Sequence, residues 1–315
     1  EHRTLIQALQ RLPQFQNREI VVLRFCHPAF KQPQPLLVLN YFLSLGQELD
    51  MVINIDGFNE VALAYHNNKS GSDFSMPADF IMSPLVELAN RDFSSGRLDL
   101  VLGTIQLKQK LTYTLDKLKA CKLAICYSFR WGQAKYLFGQ YQAAVLKLSS
   151  ATNAMSENSL FRIGRVDHPA GDAEVIDKSV AEWANASRTM NHILADNNAQ
   201  YFQFIQPNQY YASKRRFSDE EKKIAFSTNT GLTQVIAMGY PSLLARMISL
   251  RAEGVGVFSA VGIFDESSDI VYVDNCCHYN EAGLRMLSNY VSRTVVTGQR
   301  TNTRAKIGTV SRQNH

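Results

Sequence analysis

The chain has 315 residues and a formal net charge of +5, with the apolar and charged fractions of a globular protein and length for one large domain or two ordinary ones. Four of its positive charges, Arg300, Arg304, Lys306 and Arg312, lie in residues 294–315, which hold no acid, so the body is nearly neutral. That argues against a nucleic-acid-binding face, which needs clustered basic residues, and no apolar run approaches the roughly 18–20 residues of a membrane span.

In chain order, Leu5, Ile6, Leu9 and Leu12 have helical spacing. Arg18 to Cys26 reads as a short strand rich in Val and Ile. His27 to Pro35 holds three prolines and must be a loop. Leu36 to Leu45 reads as a buried helix ended by Gly46, and Asp50 to Asp56 as a second strand. This strand–helix–strand order predicts a βαβ unit and a parallel sheet.

From about residue 78 to 198 the pattern is mostly helical. Leu98, Val101, Leu102, Ile105, Leu111, Leu115 and Leu118 form a stripe, Gly132 breaks it, and Gln133 to Ser149 resumes it. Glu157 to Asp172 is polar and irregular. Val175 to Asp196 reads as a helix with Trp183, Ser187 and Met190 on one face. Strand character returns at Tyr201–Ile205, stopped by Pro207. Ser218-Asp219-Glu220-Glu221 has the form of a capping box, and Tyr240 to Arg251 is a further helix. Val255 to Ala260 reads as a strand, Ile270 to Val273 as a short extended piece, and Glu281 to Val291 as the closing helix. Residues 294–315 read as a disordered basic tail.

The expected architecture is an α/β domain with a doubly wound parallel sheet, an α/β/α sandwich interrupted by a large helical insertion. Its parts are residues 1–77, the insertion 78–198, and residues 199–293. In such sheets, sites lie at the carboxyl ends of the strands. Two polar motifs fall there: Asp56-Gly57-Phe58-Asn59-Glu60, and Asp274-Asn275-Cys276-Cys277-His278-Tyr279-Asn280-Glu281-Ala282-Gly283.

Each motif has two readings. A side-chain amide such as that of Asn59 can stabilise the oxyanion of ester cleavage, worth about 3–4 kcal/mol in one hydrolase; equally, the segment makes a good turn and helix cap. His278 can serve as a general base oriented by Asp274; equally, it is a structural histidine beside a turn. The five cysteines, Cys26, Cys121, Cys126, Cys276 and Cys277, do not suggest a disulfide framework. Cys276, Cys277 and His278 lack a second Cys/His pair to close a tetrahedral metal site, so the cysteines read as small packing residues. His66, His168 and His192 have no metal-like partners, and Gly254-Val255-Gly256 is not a dinucleotide loop.

Taken together the two motifs resemble signature blocks of the SGNH/GDSL hydrolases, a family of serine esterases and lipases. Gly57-Phe58-Asn59-Glu60 resembles the family's G-x-N-D block with Glu for Asp. Asp274 and His278 resemble its D-x-x-H block with one extra residue between them. The loop His27–Gln34 sits where the family has an oxyanion-hole glycine; it has none, and Ala29 would lend its amide instead. Lys31–Gln34, Gln206–Tyr210 and Lys214 resemble a bacterial subgroup of such proteins. The resemblance covers the α/β segments, about half the chain, and not the helical insertion.

It implies a Ser-His-Asp esterase with His278 as base, Asp274 as its orienter, and Asn59 and Ala29 as oxyanion hole. No cofactor or metal is implied, and the substrate would be a small-molecule ester or an acylated carbohydrate or lipid. The family's Gly-Asp-Ser block is not present: Gly71-Ser72-Asp73-Phe74-Ser75 has its letters out of order in a polar loop. The serine is therefore expected upstream of Glu1. The alternative is a non-catalytic binding domain on the same fold, using the helical insertion as its interaction surface.

Overall fold

A computed structural model describes residues 2–78, 95–150, 171–227 and 231–310. His168 and most of the irregular stretch 157–172 lie outside these residues. The described elements are α1 (His2–Leu9), a 3-10 turn (Pro13–Phe15), α2 (Gln34–Ser44), β1 (Met51–Asp56), α3 (Phe58–Lys69), α4 (Ser95–Lys119), α5 (Ala124–Ser150), α6 (Asp172–Asp196), β2 (Gln200–Ile205), α7 (Asp219–Ala225), α8 (Leu232–Ala252), β3 (Val257–Ser259) and α9 (Glu281–Val310). The protein is mixed α/β, with a three-stranded parallel sheet in the order β1-β2-β3.

The chain divides into two compact units, residues 1–65 with 169–315, and residues 66–168. The first holds the sheet. Met51 to Asp56 pair in register with Gln200 to Ile205, and Gln203 to Ile205 with Val257 to Ser259. Flanked on both sides, β2 is buried from Tyr201 through Ile205. Its one buried amide, Gln203, is satisfied when Oε1 accepts from Tyr201 Oη at 2.6 Å, as a polar group inside a core must be. Helix α6 packs against β2 and α8, so it belongs with the sheet and not with a helical insertion reaching to residue 198.

A second correction concerns residues 18–26, expected as a strand. Residues 19–27 have no regular secondary structure and form no ladder. Arg18 pairs with Asp50 at 3.1 Å, beside the start of β1. At the far end, the backbone oxygen of Phe30 accepts from Asn59 Nδ2 at 2.7 Å, just past the end of β1. Between these anchors Val21, Val22, Leu23 and Phe25 are exposed. The segment has strand propensity but no strand beside it to supply hydrogen bonds. Among the described residues β1 likewise pairs on one edge only.

The basic tail is also ordered further than expected: α9 runs to Val310. Its Val291 and Val295 are buried in a cluster with Leu9, Leu12, Phe202 and Phe204. A Cβ on Gly298 would sit 2.9 Å from the Phe202 ring, so glycine admits the close packing here. Burial of one face extends a helix that propensity alone would end early.

The second unit contains a hairpin of α4 packed on α5. Gly132 lies inside α5 and does not break it; the chain turns at residues 120–123, where a Cys121–Cys126 disulfide closes the bend. The cysteine spacing did not announce that bridge. Gly71–Ser75 forms a turn in which Asp73 Oδ1 accepts from the backbone and hydroxyl of Ser75, with Phe74 buried.

Candidate functional site

The carboxyl end of the sheet gathers the polar residues. After β1 the chain must turn sharply into α3, and Gly57 makes the turn at φ +139°. A Cβ there would lie 3.3 Å from Tyr240 Oη and 3.4 Å from an Ile205 methyl, so both backbone and space require glycine. Glu60, one turn into α3, reaches back: its Oε2 accepts from Gly57 N at 2.6 Å and its Oε1 from Gln32 N at 3.0 Å. The Glu standing where the family pattern has Asp is thus a helix cap that also fastens the 27–34 loop.

That loop is held by buried groups. Gln32 Nε2 donates to Asp56 Oδ2 at 3.2 Å. Lys31, buried, donates to Gln32 O at 3.0 Å and pairs with Glu182 at 3.3 Å. Burial raises the Asp56 carboxyl well above its usual range, and the charge of nearby Glu60 adds to this. Burial also raises Glu60, against the lowering effect of the Gly57 and Gln32 amides. Two carboxyls in one dry pocket disfavour double ionisation. Ala29, at the crown of the loop, adopts φ +66°, a left-handed conformation natural to glycine. Asn59 spends one amide hydrogen on Phe30 O, next to Ala29, and retains a second.

The second motif is a hairpin tip. Tyr272 and Tyr279 form an antiparallel bridge, closed by Val273 N to His278 O at 3.1 Å and Asn280 N to Val271 O at 2.8 Å. Within it Asp274 Oδ1 accepts from the amides of Cys276, Cys277 and His278 at 2.9, 3.2 and 3.3 Å. Its other oxygen meets His278 Nδ1 at 2.5 Å. Burial opposes the Asp274 charge, but the His278 ring and the amides outweigh it and the carboxyl titrates low. The hydrogen bond to Asp274 raises His278, against some desolvation.

The tip is braced by the Gln-Pro-Asn-Gln-Tyr segment after β2. Asn208 Nδ2 donates to Cys276 O at 3.2 Å, Gln209 Nε2 to Asp274 O at 3.2 Å, and Tyr210 Oη to Asn275 O at 2.9 Å. Tyr279 Oη donates to Pro207 O at 2.5 Å. Sequence reading noted this segment only as part of a resemblance; its physical role is to hold the histidine loop. Deeper still, Arg215 and Glu221 form a buried ion pair at 2.6 Å, and Glu221 Oε1 accepts from Val271 N at 2.9 Å. The predicted capping box is therefore half realised: Ser218 Oγ accepts from Glu221 N at 3.1 Å, but the Glu221 carboxylate is committed to Arg215 and the hairpin.

The structure brings Asp274 directly to His278, and Asn59 to the Ala29 loop. Gln206 and Tyr240 both approach the Gly57 turn. Gln206 N donates to Asp56 O at 2.8 Å, while its side chain lies beside both Cys277 and Tyr240. All four predicted residues belong to the one unit, but only Asn59 directly follows a strand, β1. Among the described residues no serine hydroxyl is hydrogen-bonded to the His278 ring. Comparison of the chain with protein-family models, with curated proteins and with solved structures returns no match.

Proposed function

We propose that this protein is an SGNH-like serine hydrolase that cleaves esters on a doubly wound α/β/α framework. The observation that carries the reading is the His278–Asp274 contact of 2.5 Å on a loop pre-formed by three amides. Asp274 holds one ring nitrogen, which leaves Nε2 to take the proton of a serine hydroxyl and later return it to the leaving alcohol. The remaining amide hydrogen of Asn59 and the backbone N–H of Ala29 would receive the oxyanion. The nucleophilic serine would come from outside these 315 residues, and the substrate would be a small-molecule ester or an acylated carbohydrate or lipid.

The test is labelling with a fluorophosphonate, with the adduct mapped by mass spectrometry, in this chain and in any longer natural product that contains it. The expected result is no adduct within these 315 residues and one modified serine in the longer product, lost there in His278→Ala and slowed by about 10⁴-fold in Asp274→Asn. Absence of any adduct, or labelling indifferent to His278, overturns the reading. A second reading is favoured by the hairpin of the other unit, whose α5 leaves Ile125, Phe129, Trp131 and Tyr136 exposed: a non-catalytic binding domain using that hairpin as its interaction surface.

A further inference from the structure

The tip of the histidine hairpin carries a second set of donors. Cys276 Sγ and Cys277 Sγ are 3.6 Å apart, and both lie within 4.8 Å of a ring nitrogen of His278. Two thiolates at about 2.3 Å from one tetrahedral ion stand about 3.8 Å apart, so the sulfur spacing already matches an edge of such a site. Nδ1 of His278 is held by Asp274, which leaves Nε2 for an ion. A metal-binding histidine ordinarily gives its other nitrogen to a carboxylate in this way. The backbone of all three donors is fixed in advance, because Asp274 Oδ1 binds their three amides and Asn208 and Tyr210 brace the same loop. A closed four-ligand site was set aside on the sequence for want of a second Cys/His pair; three donors with the fourth position open to solvent need no such pair.

We infer that Cys276, Cys277 and His278 form a binding site for a thiophilic divalent ion of the zinc class. Two sulfurs and one imidazole select such an ion over magnesium or calcium, which take oxygen. Binding involves no oxidation: the two thiol protons pass to solvent as the metal–sulfur bonds form. An occupied site engages the lone pair of Nε2 that a general base needs, so the ion would inhibit hydrolysis. That consequence rests on the reading under "Proposed function"; the binding does not.

Cobalt(II) is the probe. Titrated into the protein kept reduced with a phosphine, it is expected to give a thiolate-to-cobalt charge-transfer band that saturates at one equivalent and is bleached by zinc. The band is expected to vanish in Cys276→Ser/Cys277→Ser, which still holds Cys26, Cys121 and Cys126, and in the single variant Cys276→Ala should the double one fail to fold. Asp274→Asn is expected to weaken cobalt binding about 10- to 100-fold. No band in the unmodified protein, or a band undiminished in a folded variant, overturns the inference. Fluorophosphonate labelling is read separately. Cobalt binding without labelling of the longer product sinks the hydrolase and spares the ion site; labelling of that product without cobalt binding does the reverse.

Discussion

The sheet unit and the helical hairpin handle polarity in opposite ways. The sheet unit buries Lys31, Glu60, Gln203, Arg215 and Glu221, and each has a partner. The hairpin buries Val101, Leu118, Ala134 and Leu148 but leaves large apolar side chains of α5 in water. Ile125, Phe129 and Tyr136 recur at four- and seven-residue steps, as do Tyr127, Trp131 and Phe138, which puts two apolar stripes on different faces of one helix. Burying a polar group costs stability unless it is paired, and pairing fixes geometry. Large apolar side chains left in water are an unusual surface feature. One unit thus buries paired polar groups and the other exposes apolar ones.

The sharpest way to break this contrast is to remove one partner of the deepest pair. Arg215→Ala would leave Glu221 buried and uncompensated, and is expected to destabilise the sheet unit by about 3–5 kcal/mol, read as a lowered denaturation midpoint. An effect under about 1 kcal/mol would mean the pair is not desolvated as described. Gly57→Ala forces a side chain into φ +139° against Tyr240; a loss of about 1–3 kcal/mol is expected, together with loss of any fluorophosphonate labelling.

Asp274→Asn tests the site more finely. The His278 pKa stands above 6.5 because of Asp274, so the pair favours the fold below that ordinary value and this contribution is lost as pH rises through the raised one. Asp274 titrates low, so its own contribution holds above the ordinary carboxylate pKa and is lost as pH falls through the depressed one. In the hydrolase proposed above a neutral imidazole would be the base, so activity is expected to rise with pH through the raised His278 pKa. In Asp274→Asn that inflection moves to lower pH, which NMR titration of the ring reads directly; an unmoved ring would dissolve the dyad. The smallest stability effect belongs to the hairpin. Phe129→Ser and Trp131→Ser are each expected to change stability by less than about 0.5 kcal/mol, read as the denaturation midpoint. A large loss of stability would show these side chains to be core.

Periodicity revealed much of the fold, because burial patterns are local. β2 and β3 and the helices α2, α6 and α8 were legible from runs such as Tyr201–Ile205 and from stops such as Gly46 and Pro207. Residues 18–26 were misread because strand propensity says nothing about whether a neighbour is present to pair. The reach of α9 was missed because what holds it, Phe202 and Leu9, is distant in sequence. At the site, the pairing of His278 with Asp274 came from the family resemblance; the motif alone reads equally as a turn beside a structural histidine. The supports could not: Gln32, Glu60, Asn208 and Tyr210 act through side-chain bonds to backbone atoms, and any polar residue of the right length reads alike in one sequence. The capping pattern at Ser218–Glu221 was a partial signal, since it marked Glu221 without naming Arg215.

The segment from Arg18 to Phe30 is exposed to proteolysis. It is held at both ends, by Asp50 and by Asn59, while its middle is exposed and joins no ladder. Arg24 lies in that middle stretch, so trypsin is expected to cut there before it cuts the sheet. The nicked protein should nonetheless stay in one piece, since α1 remains packed on α9 and the Ala29 loop remains pinned through Gln32 to Asp56 and Glu60.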